Sequence, residues 1–365
     1  QFEEPLFHIH LNVDYPFNLT GILYFPKISN DLNLQKDRIQ LYQNQVFVTD
    51  NVEGIVPEFL GLLKGVIDSP DIPLNVSRSY LQSDASVKKI TNYITRKVAD
   101  KLNSIFKNER ENLESKWNDI KVVIEYGMLT EDKFYDKAES FNLYPTVDDK
   151  YFTYEELEKK IKKLQTDKDG NLIILYAQNK DEQYTYIESA KEKGYEVLLL
   201  DSPIIPHLMQ KLESKKEKIK FSRVDSDTLE NLIKKDEEVI SKLTDEEKEK
   251  LKPMIETAVE NEKYTVQLEA LDSNSMPFML AQPEFMRRMK EMQQTGGGAM
   301  GNLPDMYSLI VNTNHELVGK ILNTRTEKKR NSLIKQSIDL AKLSQNNLTG
   351  KDLTEFINRS IDLIK

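Results

Sequence analysis

Six consecutive residues, Leu172-Ile173-Ile174-Leu175-Tyr176-Ala177, run without a charged or amide side chain. The run is too short to span a membrane and reads as a strand buried on both faces. A helix over residues 184–193 stops at Gly194, and Val197-Leu198-Leu199-Leu200 supplies a second buried strand. Strand, helix and strand in this order predict a parallel sheet with a right-handed crossover. The first turn, Gln178-Asn179-Lys180-Asp181, has no glycine cradle, and no P-loop occurs in the chain. A small-molecule enzyme built on residues 172–200 is one rival reading, but it lacks a catalytic constellation. The unit reads as structural.

Upstream, residues 6–13 and 19–25 predict paired strands, separated by Asp14-Tyr15-Pro16-Phe17-Asn18. Residues 39–49 read as further strand, with Phe47 as ordinary strand core. Glu58-Phe59-Leu60-Gly61-Leu62-Leu63 begins a short helix. Ile90, Ile94, Val98, Leu102 and Ile105 recur at helical spacing and predict a long helix that ends near Lys107. Trp117, the only tryptophan, is expected to anchor a core with Leu113, Ile120, Val123 and Ile124. Strands followed by helices point to an α/β (α+β) architecture of helix-covered sheets. His8 and His10 share a strand face; no acidic or cysteine partner completes a metal set, so strand packing is their expected role.

Before the long helix stands Asp71-Ile72-Pro73-Leu74-Asn75-Val76-Ser77-Arg78-Ser79-Tyr80-Leu81-Gln82. Pro73 biases Ile72 toward extended backbone, and Ser77 is a candidate helix cap. Arg78 then sits near a helix start, where free N–H groups and the dipole favour an anion. It is either a solvated first-turn residue or a cation that reaches a phosphate supplied from elsewhere.

In the C-terminal half, charged stretches at 214–218 and 245–250 flank an exposed helix, with a boundary near residue 226. Residues 264–268 and 308–311 alternate like strands. Phe285, Met286, Met289 and Met292 recur at near-helical spacing among Arg287, Arg288, Lys290 and Glu291. They read either as a core stripe or as an exposed, adaptable apolar face. The following Gly296-Gly297-Gly298-Ala299-Met300-Gly301 matches a dinucleotide fingerprint literally, but without the required strand and helix it reads as a linker. Three short amphipathic helices close the chain, with stripes at Leu317–Leu322, Leu333–Leu343 and Leu353–Ile364. Such helices bury little alone, so a homodimer through residues 315–365 is expected.

A net charge of −9 argues against a nucleic-acid partner, and with no cysteine there is no disulfide or thiol chemistry. Without a signal-like segment or a long apolar run, the expected place is the cytoplasm, with no membrane partner.

Leu74-Asn75-Val76-Ser77-Arg78, with Gln82 four residues on, resembles the catalytic loop of the heat-shock protein 90 chaperones. Pro5–Asp14, Gly21–Pro26, Ile39–Tyr42, Val46–Val48, Val56–Leu60 and Gly65–Ser69 resemble the start of that family's middle domain, closest to its bacterial members. The family's N-terminal ATP-binding domain has no counterpart, and the chain starts at Gln1 in strand-like sequence, so a piece of a longer protein is expected. The resemblance implies a middle domain over 1–225: sheet, long helices and catalytic loop in 1–126, a connector in 127–150, and a smaller α/β unit in 151–225. A mixed α+β dimerisation domain follows over 226–365. It implies Arg78, Gln82 and Asn75 as catalytic residues. Arg78 would meet the ATP γ-phosphate, Gln82 add a hydrogen bond and Asn75 hold the loop. Phe285, Met286, Met289 and Met292 would contact unfolded clients, and Phe47 would dock the chain's own ATPase domain. No cofactor or metal is expected in this stretch and no ATPase activity of its own; ATP and Mg²⁺ belong to the longer parent. The second rival is a dimeric scaffold without ATP coupling.

Overall fold

The computed structural model describes residues 5–26, 39–50, 52, 55–72, 84–236, 239–259, 263–296 and 306–364. Two compact units result: residues 1–145, 149–159 and 202–215 form one, and 146–148, 160–201 and 216–365 the other.

The first unit is built on β1 (Phe7–Val13), β2 (Leu19–Phe25), β3 (Ile39–Gln43), β4 (Val46–Thr49) and β5 (Lys64–Asp68), in the order β1-β2-β5-β3-β4. Along β1, Phe7, Ile9 and Leu11 are buried while His8, His10 and Asn12 face out, the period of two that a one-sided sheet demands. The expected pairing of the first two strands is observed, with Phe7 opposite Phe25. Residues 39–49 are not one strand. Asn44 and Gln45 take positive φ values of 50° and 67° and fold β3 back onto β4. A two-residue turn with both φ positive matches the sheet's twist, and asparagine enters that conformation readily. Where β2 meets β5, a Cβ on Gly21 would lie 2.5 Å from the Val66 carbonyl oxygen, so only glycine permits the approach.

Helices cover one face of this sheet: α1 (Ala85–Asn108), α2 (Arg110–Ser115), α3 (Trp117–Thr130) and α4 (Asp132–Ala138). The expected stripe of α1 is buried, and Trp117 is fully buried with Leu113, Ile120, Val123 and Ile124. Residues 127–150 carry the end of α3, all of α4 and β6 (Tyr144–Pro145), which pairs with β7 (Tyr151–Phe152). At the start of α5 (Tyr154–Gln165), Glu156 receives a two-pronged contact from Arg110, at 2.6 and 2.9 Å.

In the second unit, β8 (Leu172–Ala177) is buried at every position. It lies between β10 (Ile219–Arg223) and β9 (Val197–Leu199), parallel to both, as the apolar run predicted. Between β8 and β9 runs α6 (Tyr184–Glu192), and Gly194 at φ 76° breaks it off. A second sheet has the order β11-β13-β12, from β11 (Tyr264–Glu269), β12 (Phe278–Ala281) and β13 (Tyr307–Asn312). Only β11 and β13 were legible; β12 lies inside the methionine-rich stretch. Also in this unit are α9 (Asp245–Glu256), α10 (Glu284–Gly296), α11 (Glu316–Asn323), α12 (Glu327–Ser344) and α13 (Gly350–Ile364), after the single turn α8 (Leu229–Leu232) and, in the first unit, α7 (Ile205–Lys215). One core joins α9, this sheet, α11 and α12 through Leu251, Phe278, Leu309, Val318, Ile334 and Ile338.

Candidate functional site

Asn75, Arg78 and Gln82 lie outside the described residues. The helix that follows is described from its start, and its cap is Asp84, not Ser77. The Asp84 carboxylate accepts from the backbone N–H of Ser86 at 2.8 Å and of Val87 at 3.0 Å. Asp84 itself is extended. Aspartate caps a helix at least as well as serine.

The methionine-rich segment is described through α10, and one feature of it differs from the sequence reading: the burial of Arg287. Residues 284, 287, 288 and 291 share one face of α10, and that charged face is turned inward. Arg287, expected among the solvated residues around the methionines, is only 3% exposed, whereas Phe285 is 72% exposed. Met286, Met289 and Met292 are half-buried. Phe285, Met289 and Met292, at i, i+4 and i+7, form an apolar stripe beside the charged face.

Partners for the buried charge come from the carboxyl ends of β8 and β10. Glu284 accepts from Tyr176 Oη at 2.8 Å, from the backbone N–H of Arg223 at 3.2 Å, and from Arg287 and Arg288 at 2.6 and 2.7 Å. Arg287 also donates to Glu291 at 2.5 Å and to the Tyr176 hydroxyl. Arg288 donates to the Phe221 carbonyl. Arg223 donates to Asp225 at 2.6 and 3.0 Å and to Gln178 at 2.9 Å. Burial alone would raise the Glu284 pKa, but the charges of Arg287 and Arg288 outweigh it and hold the carboxyl below its ordinary value. Burial by itself would lower the Arg287 pKa, but Glu284, Tyr176 and Glu291 outweigh it and raise the guanidinium above its ordinary value. Burial first, and Glu284 second, push the Tyr176 phenol above its ordinary value. Hydropathy alone gave no sign of Arg287's burial; the only local hint was the spacing of Glu284, Arg287, Arg288 and Glu291 on one face.

Phe47 is not strand core. It is 54% exposed beside Val46, itself 67% exposed, on the edge strand β4, and its ring stands 5.7 Å from that of Tyr42. His8 and His10 are exposed with ring centres 5.4 Å apart. Among the described residues no three His, Asp or Glu side chains gather as a metal set. No helix among them is long and apolar enough to cross a membrane.

Of the terminal helices, α12 turns Ile334 and Ile338 into its own unit's core. It is tied to α13 by Asp339 with Arg359, by Lys335 with Glu355 at 3.2 Å, and by Gln336 with Ser360 at 2.9 Å. Left facing outward are Leu340 (45%), Leu343 (40%), Ile357 (48%) and Ile361 (47%). Exposed apolar residues on two adjoining helices mark a surface suited to a partner.

The chain matches the family model described as Hsp90 protein over residues 1–359. It is 47% identical to the chaperone protein HtpG of Bacteroides thetaiotaomicron, over 99% of this chain and 63% of that protein. It is 52% identical to the HtpG of Porphyromonas gingivalis, over 93% of this chain and 51% of that protein. With the HtpG of Ruthia magnifica the identity is 29% over the whole chain and 59% of the relative. The chain thus spans less than two thirds of the length of these relatives.

Proposed function

The chain belongs to the Hsp90 protein family, and from that premise we propose that it is the client-binding and dimerising part of a molecular chaperone. The observation that carries the reading is the stripe of Phe285, Met289 and Met292 on α10, with Phe285 exposed and the two methionines half-buried, beside a charged face that buries Arg287. Methionine and phenylalanine on an exposed helix face adapt to varied apolar surfaces. Non-native proteins are the partners that present such surfaces. Met286, on the same helix, extends the contact.

The remaining assignments follow the family. In a longer chain that carries an ATP-binding domain, Arg78 meets the γ-phosphate, Gln82 adds a hydrogen bond and Asn75 shapes the loop. ATP and Mg²⁺ are held by that other domain. The outward position of Phe47 on an edge strand supports its assignment as a docking residue for that domain. Residues 315–365 form a homodimer, for which Leu340, Leu343, Ile357 and Ile361 supply an apolar surface. The division into 1–225 and 226–365, and a cytoplasmic place of work, belong to the same proposal.

Light scattering from a denatured model protein as it aggregates, with and without the chain, tests the reading. Slower aggregation at near-stoichiometric chain is expected; unchanged aggregation would overturn it.

A further inference from the structure

The hydrogen bonds and ion pairs that hold α10 to its own unit come from one charged face. Glu284, Glu291 and Asp225 balance Arg287, Arg288 and Arg223, with Tyr176 and Gln178 as neutral partners. The contact sits at the carboxyl ends of β8 and β10, the edge at which parallel α/β sheets commonly open to ligands. Here the chain's own helix occupies it.

Buried ions that balance one another gain in Coulomb energy roughly what they lose in hydration. An apolar face of the same size would instead hold the helix by a one-sided gain. Among the described residues the Nε of Arg287 is buried without a partner, which weakens the docked state further. Such a contact has strict geometry and small net strength. The contrast lies within a single helix: Phe285 is exposed, the two methionines are half-buried, and the hydrogen bonds and ion pairs to the sheet come from the charged residues.

We propose that this network is a latch, with Arg287 as its pin, that parks α10 on the β8–β10 edge and regulates how freely its apolar stripe meets clients. The proposal rests on the reading of α10 as client-contacting. When parked, the helix presents the stripe in one orientation. When released, the helix swings its stripe toward surfaces the parked state does not reach, and Glu284, Arg287 and Glu291 regain water.

The chain has no cysteine, so Phe285→Cys carries a single nitroxide without background. Electron spin resonance of the labelled 365-residue chain, and amide exchange of the unlabelled one, are followed in the parent, Arg287→Met and Tyr176→Phe. Tyr176→Phe removes only the hydroxyl and keeps the buried ring, so it guards against misfolding of the first variant. The latch predicts a single spectrum typical of an ordered helix surface in the parent and an additional, faster component in both variants. It also predicts amide exchange over residues 284–292 at least tenfold faster, with β8 unchanged. Unchanged mobility and exchange in both variants would overturn it, as would exchange that rises equally across the whole unit. Suppression of model-client aggregation is then compared among the unlabelled proteins. A released helix with unaltered suppression overturns the regulation of client contact, whereas a parent chain that suppresses no aggregation overturns the client reading itself.

Discussion

Phe285 and Arg287, two residues apart on one helix, differ sharply in burial: the phenylalanine is 72% exposed and the arginine 3%. The burial of the arginine has a definite cause. Arg287 finds acceptors in Glu284, Glu291 and Tyr176. A buried arginine with such partners is tolerable, but stripping them away would leave an uncompensated charge worth about 3–5 kcal/mol.

Phe285→Ser combined with Met289→Ser and Met292→Ser should weaken suppression of client aggregation several-fold. The expected stability loss is about 1–2 kcal/mol, because Phe285 is exposed and the methionines are only half-buried. Light scattering and urea unfolding measure the two effects. A loss of 4 kcal/mol or more would identify the stripe as core.

Charges on the outward face of α13, Ile357→Glu with Ile361→Glu, should give monomers by light scattering while the melting temperature of the diluted protein moves little. Ile338→Glu should behave differently. That side chain is 3% exposed within its own unit's core, and a buried unpaired carboxylate costs several kcal/mol. A dimer that persists at micromolar concentration in the double variant would remove α13 from the interface.

In a longer chain that includes the ATP-binding domain, Arg78→Ala should cut turnover on the order of a thousandfold, with nucleotide affinity nearly unchanged. Arg78→Lys should recover only part of the rate, since an ammonium lacks the planar fork. Steady-state hydrolysis and nucleotide titration are the readouts. Parental turnover in Arg78→Ala would return this residue to the solvated surface.

The Arg110–Glu156 pair should make the first unit sensitive to acid. The hydrogen bond from Arg110, more than any other cause, holds the Glu156 carboxyl at about 2, against an ordinary 4.5. A carboxyl lowered on folding stabilises the fold above its unfolded value, and that contribution is lost as pH falls from about 4.5 toward about 2. The two side chains are 34% and 40% exposed, so solvent reduces the contribution to about 1 kcal/mol. Glu156→Gln should therefore unfold at lower urea than the parent at pH 7, with the gap narrowing between pH 5 and pH 3. A gap independent of pH would show that the pair's charge is not what stabilises.

Much of the fold could be read from local pattern because the relevant forces are local or periodic. The six-residue run of β8 could be satisfied only by burial on both faces, and burial on both faces is where the structure puts it. The stripe of α1 and the alternation of β1 likewise follow from side-chain periods of 3.6 and 2. Gly194 ended its helix because it alone takes a positive φ freely. The family, too, was carried by the residues themselves, from Pro5 through the Leu74–Gln82 motif.

Other features were settled only when distant segments met. The sequence reading named Ser77 as the cap, whereas the carboxylate that caps α1 is that of Asp84. Phe47 satisfies a core pattern, yet sits outward because β4 ended as an edge strand with one neighbour. The orientation of α10 is the clearest case. Its sequence offers an apolar stripe and a charged stripe, either of which could face inward. The choice fell to the charged one because Tyr176, 111 positions before Arg287, brings its hydroxyl to the end of β8. Periodicity fixes which residues share a face; which face is buried depends on what the rest of the chain sets against it.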